Sequence, residues 1–325
     1  MSPTVLALFV AGLALLLVGA ELLVRGASRL ASALGISPLV IGLTVVAWGT
    51  GSPELAVGVK AALAGQPDLA VGNVVGSNIC NFILILGVSA LIWPISLERG
   101  ASLKTTSIVL TAATGLLILL AWDGDIARWQ GIIMVLLLVA MTVYNFQSER
   151  RRSPAENVYS EEAEEFAEKA PQTAPRAIMV LGVGLLGVLF GAEFLVQGAV
   201  ALARDAGVSE EVVGLTVVAL GTSLPELATA VIAALRRHSD VALGTVFGAN
   251  IYNILGIMGL VATVTPVPVP QQMLQFDLWF LLAITVVLSL WVRMLPQIGR
   301  AAGAGFVLLY CGYVVWQYTG GWGLL

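Results

Sequence analysis

The sequence GLTVVAWGTGSPE, residues 42–54, decides the fold, and it returns as GLTVVALGTSLPE at residues 214–226. Each copy is apolar until it reaches a glycine, a threonine and a proline, and each ends on a glutamate. Each copy has a companion downstream, GNVVGSNICNFILILG from residue 72 and GTVFGANIYNILGIMG from residue 244. A functional interpretation must explain why an acid closes an apolar run twice in one chain.

The composition is that of a membrane protein. Of 325 residues, 58% are hydrophobic and only 11% are charged, and the mean hydropathy is +0.94. Apolar runs of about 20 residues recur along the chain, the length that a helix needs to cross a lipid bilayer. Because these runs are continuously apolar and do not alternate, a β-barrel is disfavoured. The sequence predicts an all-α polytopic membrane protein, with no basic patch for nucleic acid and no sign of a protein partner or cofactor.

An internal repeat organises the helices. A shift of 172 residues places Glu54 on Glu226 and Asn81 on Asn253. Five helices are repeated, and because five is odd the second copy must enter the membrane from the opposite side. The prediction is therefore ten transmembrane helices as two inverted five-helix repeats, an arrangement typical of secondary transporters. The expected helices lie near residues 4–24, 38–64, 69–93, 104–122, 129–147, 177–202, 210–235, 241–264, 276–294 and 301–318.

The division of the chain and its orientation follow from this repeat. The first repeat is 1–147, a polar linker is 148–176, and the second repeat is 177–325. With the N-terminus outside, 13 of the lysine and arginine residues lie on the cytoplasmic side and 3 lie outside. Cytoplasmic segments of membrane proteins carry such an excess. We expect both termini outside and the linker in the cytoplasm, in the cell (inner) membrane.

The repeated glutamates are the main candidates for chemistry. Glu54 and Glu226 fall midway along predicted helices, where an ionised carboxylate is costly unless it lines a pathway. Pro53 and Pro225 precede them and cannot donate a backbone hydrogen bond, so that the carbonyl of Gly49, for example, is expected to be free. Broken backbone at membrane depth is tolerated where it lines a site. The sequence predicts two broken helices that present oxygen ligands.

Further oxygen atoms lie on the same elements. Thr50 and Thr222 each precede a glutamate by four residues, and Ser77 precedes Asn81 by four on the companion helix, where such residues share a face. Asn253 repeats Asn81 in the second half. Oxygen-only sites favour hard cations such as Ca²⁺ and Na⁺ over zinc or copper.

Other polar residues are given structural roles. Asn78 and Asn250 are expected to join helices by hydrogen bonds. Cys80 and Cys311 are expected to be small buried residues without a disulfide.

A second repeated pair of acids lies nearer the helix ends. Glu21 is expected to pair with Arg25, and Glu193 meets Gln197 at the same spacing of four residues. These acids are interpreted as structural or gating residues and not as ion ligands.

The motifs GTGSPE and GTSLPE, each followed by a G-x-x-x-G-[SA]-N-I-x-N helix, resemble the two repeats of the cation/calcium antiporter superfamily, and most of all its prokaryotic sodium/calcium exchanger branch. The resemblance covers nearly the whole chain. It implies that Glu54 and Glu226 bind Ca²⁺ and Na⁺ in competition, and that the first and sixth helices slide to alternate access. The other ion-binding residues that it implies are Thr50, Thr222, Ser77, Asn81, Ser223, Asn253 and the backbone carbonyl of Ala219.

The sequence departs from that pattern at three positions. Gly51 and Ala249 stand where serine is frequent, and Asn253 stands where the branch can have aspartate. The missing hydroxyl groups leave the counter-ion open. The leading interpretation is a Ca²⁺/Na⁺ antiporter and the alternative is a Ca²⁺/H⁺ antiporter in which the same glutamates take up protons. A channel and a membrane metalloenzyme are disfavoured, because a channel does not need inverted broken helices and no histidine or cysteine cluster is present.

Overall fold

The computed structural model describes residues 3–97, 100–151, 173–205 and 219–318, and in these it is almost entirely helical. The elements of the first half are α1 Pro3–Leu34, α2 Pro38–Ile41, π1 Gly42–Val46, α3 Ala47–Thr50, α4 Ser52–Leu63, α5 Pro67–Ile79, π2 Cys80–Ile85, α6 Leu86–Ile92, β1 Ile95–Ser96, α7 Gly100–Ala121, β2 Asp125–Ile126 and α8 Arg128–Arg151.

In the described residues the second half follows the same order, with an additional π-helix before its fourth long helix. Its elements are α9 Ala174–Asp205, α10 Ala219–Gly221, α11 Leu224–Leu235, α12 Ser239–Ile251, π3 Tyr252–Met258, α13 Gly259–Val264, β3 Val267–Pro268, π4 Met273–Asp277, α14 Leu278–Met294, β4 Gln297–Ile298 and α15 Arg300–Tyr318.

Several of these elements form, alone or joined end to end, helices that are suited to a bilayer. Among the described residues, seven are long and apolar enough to cross a membrane, and the bent pair Pro38–Thr50 and Ser52–Leu63 makes an eighth. The start of the predicted helix 210–235 and most of the linker 148–176 lie outside the described residues. The linker's first residues continue α8, and its last residues begin α9.

Four two-residue strands depart from the all-α prediction. β1 pairs with β4, placing Ile95 opposite Ile298, and β2 pairs with β3, placing Ile126 opposite Val267. A shift of 172 residues converts the first pair into the second. Periodicity did not reveal them because two residues are too few to show an alternating pattern.

The long helices α1 and α9 pack antiparallel through glycines. Gly12 meets Leu195, Gly19 meets Val188 and Gly26 meets Leu181, so that the residue numbers decrease along α9 as they increase along α1. A Cβ at Gly19 would lie 2.5 Å from the backbone nitrogen of Val188. The glycines of α9 make the equivalent contacts with α1, Gly184 with Leu23, Gly191 with Leu16 and Gly198 with Phe9. Small residues allow this close approach, because no side chain separates the backbones.

The interior lies between the two halves. Every residue from Ser239 to Gly259 is buried, whereas most described residues of α8 are exposed or half-buried. One large apolar cluster draws residues from both halves, and a second lies under α1 and α9. The elements that carry the repeated motifs are therefore central, and α1, α8 and α9 form the periphery.

Candidate cation site

The two glutamates each begin a helix after a break. Glu54 is in the first turn of α4 and Glu226 is in the first turn of α11, and each side chain is 2% exposed. Proline is at the start of both helices, where its missing N–H costs nothing. The N-terminal end of a helix favours negative charge. The predicted broken helix is confirmed at Gly51, where the chain bends by 47°.

The carbonyl of Gly49 is not free, so that part of the prediction was wrong. The hydroxyl of Ser52 donates to it at 2.8 Å. Ser52 stands next to the proline and replaces the hydrogen bond that Pro53 cannot make. The break therefore supplies fewer unpaired backbone oxygens than the sequence indicated.

Each glutamate faces the other half's broken segment. The Ser223 hydroxyl donates to Oε1 of Glu54 at 3.5 Å, and Thr222 also approaches that carboxyl. Thr50 approaches the carboxyl of Glu226. Both carboxyl groups and the residues before both breaks thus lie in one buried cluster.

Four buried oxygens in this region have no hydrogen-bond partner in the structure. They are Glu54 Oε2, Glu226 Oε2, Asn81 Oδ1 and Asn253 Oδ1. A buried oxygen without a partner carries a desolvation cost that a bound cation would remove. Two carboxylates and two amide oxygens form a donor set that fits a hard cation such as Ca²⁺ or Na⁺. In the described residues no three His, Cys, Asp or Glu side chains cluster for a metal, so neutral oxygens have to complete any such site.

The two amide residues sit in π-helical turns. Asn81 is in π2 and Asn253 is in π3, which packs against α4, while π2 packs against α11. A π-turn inserts one residue into the helical hydrogen-bond pattern and often marks a functional site. The sequence did not predict these turns. The helical pitch changes between Ser77 and Asn81, so a spacing of four residues does not by itself place them on one face.

The remaining predicted ligands are only partly described. Thr50 and Ser77 are buried, and the Thr50 hydroxyl donates to the carbonyl of Val46 at 3.1 Å. Ala219 begins a short helix, and nothing is described of its side chain. Residues 214–218, the start of the second motif, lie outside the described part of the chain.

The sequence did not indicate the aromatic packing at Gly51. A Cβ at Gly51 would lie 3.0 Å from Cδ1 of Tyr252, whose ring stacks on Trp48 with 5.8 Å between centroids. Gly256 lies against the other edge of the ring, because its Cβ would be 2.8 Å from Cδ2. A ring that needs two glycines beside it is a signal that only the folded structure reveals.

The expected pairing of the outer acids is present. Glu21 pairs with Arg25, and Glu193 accepts from Gln197 at 2.6 Å. Glu21 has a second partner that was not predicted, because Arg236 at the end of α11 binds it through two nitrogens at 2.8 and 2.9 Å.

The two cysteines differ. Cys80 is buried as expected and lies beside the hydroxyls of Ser223 and Tyr310. Cys311 is exposed, so the expectation of burial was wrong there. It lies on α15, an apolar helix in which hydropathy alone did not distinguish the outward face from the inward one.

Comparison with known proteins adds the family. The family model described as "Sodium/calcium exchanger protein" matches residues 4–147 and 176–319. The putative antiporter CaxA of Alkalimonas amylolytica is 36% identical over 95% of this chain and 97% of its own length. The inner membrane protein YrbG of Escherichia coli is also 36% identical, over 95% and 94%. A solved structure of the sodium-calcium exchanger NCX_Mj superposes with a TM-score of 0.82 at 30% identity, covering 96% of this chain and 98% of that one.

Proposed function

Because this chain belongs to the sodium/calcium exchanger family, an ion-exchanger family and not a catalytic one, we propose that it is a secondary antiporter that exchanges Ca²⁺ for Na⁺. Exchange takes place by alternating access at the site of Glu54 and Glu226. The observation that carries this proposal is the pair of buried carboxylates, each with an oxygen that has no partner in the structure. The proposed ligands beside them are Thr50, Thr222, Ser77, Asn81, Ser223, Asn253 and the carbonyl of Ala219.

Charge explains why such a site exchanges ions. Two ionised carboxylates carry a charge of about −2, and moving bare charge through a membrane interior is costly. One Ca²⁺ or two monovalent cations neutralise the pair. The protein therefore changes access readily when loaded and poorly when empty, which couples the fluxes of the two ions.

A specific observation favours H⁺ as an alternative counter-ion. Gly51 and Ala249 provide no hydroxyl group, and the ring of Tyr252 fills the space beside Gly51. Fewer neutral oxygens are then available for Na⁺, whereas protonation of Glu54 and Glu226 needs none. The Ca²⁺/H⁺ antiporter is therefore kept as the second candidate.

The proposed architecture is ten transmembrane helices in two inverted five-helix repeats, 1–147 and 177–325. The strand pairs support the inversion. α7 joins β1 to β2 and is 22 residues long, about 33 Å, so that these strands lie at opposite ends of it. β1 pairs with β4, which is the repeat of β2 and not of β1. This pairing supports a second half that is inverted relative to the first.

The proposed orientation has both termini outside and the linker 148–176 in the cytoplasm, in the cell (inner) membrane. The support is the distribution of 13 basic residues against 3. The variant Ser160→Cys, made in a Cys311→Ala background because Cys311 is exposed, tests it in intact cells. A membrane-impermeant thiol reagent should label this position only after the membrane is opened, and labelling of intact cells would contradict the orientation.

Vesicle flux tests the exchange itself. The purified protein is reconstituted, and uptake of Ca²⁺ is measured with outward gradients of Na⁺, K⁺ and H⁺ imposed one at a time. We expect uptake with the Na⁺ gradient alone. Uptake driven by the H⁺ gradient without Na⁺ would refute the Ca²⁺/Na⁺ antiporter in favour of the Ca²⁺/H⁺ antiporter. Ca²⁺ flux that is independent of every counter-ion would refute antiport.

A further inference from the structure

Four asparagines link the two halves beside the site. Asn81 donates from Nδ2 to Oδ1 of Asn250 at 3.0 Å, and Asn253 donates from Nδ2 to Oδ1 of Asn78 at 3.0 Å. A shift of 172 residues converts one bond into the other. Asn78 and Asn250 thus join helices as expected. The direction of the two bonds, from donor to acceptor, indicates a role beyond helix packing.

Both bonds use the amide nitrogen of the residue that belongs to the site. The nitrogens of Asn81 and Asn253 are occupied, and their Oδ1 atoms are buried without a partner. An amide that turned over would present NH₂ in place of oxygen. Since NH₂ is a donor with partial positive charge, it would repel a cation.

The orientation of Asn78 is fixed by a group that cannot turn over. Its Nδ2 donates to the backbone carbonyl of Asn250 at 3.4 Å, and a carbonyl only accepts. If Asn78 were reversed, its oxygen would face that carbonyl and its NH₂ would face the NH₂ of Asn253. Two repulsive contacts would replace two hydrogen bonds. The backbone carbonyl of Asn250 therefore fixes the orientation of the Asn78 amide, and Asn78 in turn fixes that of the Asn253 amide.

The equivalent residue Asn250 has no such anchor. Its Nδ2 is buried and without a partner. Asn78 and Asn250 are both fully buried and have the same chemistry, which makes Asn250 a matched comparison for the anchored residue.

We propose that Asn78 is a positioning residue that holds the Asn253 amide with its oxygen, and not its NH₂, towards the cation. Asn78 itself does not touch the ion. This inference rests on the proposed function, because it assigns the bound cation to the cluster of Glu54, Glu226, Asn81 and Asn253.

The test uses the carboxylate in place of the amide. In the Asn253→Asp variant both outer atoms are oxygens, so no orientation has to be fixed. Asn78→Leu removes the acceptor and keeps the number of heavy atoms and the branched shape of the side chain. We expect Asn78→Leu alone to weaken Ca²⁺ binding about tenfold, in the range seen when a residue that orients a ligand is removed. In the Asn253→Asp background the same change should cause no further loss.

The readouts are the apparent KM and maximal rate of Ca²⁺ uptake in vesicles, and the upward shift of Tm that Ca²⁺ or Na⁺ produces in detergent. A role in helix packing alone predicts an equal loss in both backgrounds, and that result would overturn the proposal. If Asn78→Leu does not fold, Asn78→Ser is measured in the same two backgrounds, and equal losses would again overturn it. Asn250→Leu should weaken binding less than Asn78→Leu, and a larger effect would contradict the anchoring role.

Glu54→Gln separates this proposal from the function on which it rests. If Glu54→Gln keeps the cation-dependent Tm shift, the cation does not bind at the proposed site and the positioning role fails with it. If Glu54→Gln loses the shift and Asn78→Leu keeps that of the unmodified protein, the site stands and only the role of Asn78 is refuted.

Discussion

The half of the site that contains Ser223 and the half that contains Gly51 have similar backbone conformations, but they differ in the side chains beside the break. Ser223 places a hydroxyl 3.5 Å from Glu54 and has Cys80 as its neighbour. In the other half the same two positions are Gly51 and Tyr252, and the aromatic ring lies where a serine side chain would go. Trp48 covers that ring, whereas its counterpart is Leu220.

The difference separates two tasks within one duplicated motif. The proline, the break and the first helical turn place both glutamates alike, and each is 2% exposed. In the proposed site the surrounding ligands are free to differ, because there they would only complete the coordination of ions whose charge the two carboxylates balance. Divergence between the halves is therefore expected to change the counter-ion more than the binding of Ca²⁺.

The largest effect is expected from the residues in which the halves agree. Glu54→Gln and Glu226→Gln each remove one negative charge and one anionic ligand. Loss of a residue that only orients a ligand costs 10- to 100-fold in affinity, so Ca²⁺ uptake should fall by at least about 100-fold in either variant. Flux in vesicles measures this, with size-exclusion profiles as the control for folding. Near-normal uptake by one variant would show that the two halves are unequal even at their carboxylates.

A second prediction concerns the ring at Gly51. Gly51→Ser forces a Cβ to within 3.0 Å of Tyr252, and overpacking of this kind costs about 1–3 kcal/mol. The Tm should fall accordingly. Tyr252→Cys, which copies the Cys80 half, opens space for the hydroxyl, so the double variant should lose less stability than the sum of the two single variants.

Tm and Na⁺ affinity are both measured for this double-mutant cycle of Gly51→Ser and Tyr252→Cys. We expect a coupling of at least about 0.5 kcal/mol, as for residues in contact, and tighter Na⁺ binding in the double variant than in Tyr252→Cys alone. Additive losses would mean that Tyr252 and Gly51 do not constrain each other.

The third prediction concerns the hydroxyl that the Ser223 half retains. Ser223→Ala removes a long hydrogen bond to Glu54, and such bonds contribute about 0.5–1.5 kcal/mol. The apparent affinity for the counter-ion should fall about 2- to 10-fold while that for Ca²⁺ changes less. Thr50→Ser keeps its hydroxyl and is the matched control. An equal loss for both ions would assign Ser223 to a shared position.

The backbone of this site was more predictable from the sequence than its ligand shell was. Glycine and proline act through local sterics, so the break before Glu54 follows from a few neighbouring residues. The ring of Tyr252 beside Gly51 and the asparagine bonds between Asn78 and Asn253 depend on contacts between segments far apart in sequence. The hydrogen bond from Ser52 to Gly49 is local, but proline alone predicted a free carbonyl there. The π-turns have no composition of their own, so a helical period of 3.6 residues does not indicate them.

The smallest effect is expected at the ends of the peripheral helices, where the halves differ again. Arg236 ties Glu21 of α1 to the end of α11. Its counterpart is Ala64, and in the described part of the chain Glu193 bonds to Gln197 within its own helix. Glu21 and Arg236 are partly exposed, with side-chain exposures of 20% and 48%, and exposed ion pairs contribute about 0–1 kcal/mol. Arg236→Gln should therefore change the apparent Ca²⁺ affinity by less than about fivefold.

If α1 slides during transport, the change should be unequal at the two membrane faces of oriented vesicles. Gln197→Ala removes the bond to Glu193 within α9 and should leave both faces unchanged. An equal effect of Arg236→Gln at both faces would show that the ion pair stabilises the fold without holding α1 in one position.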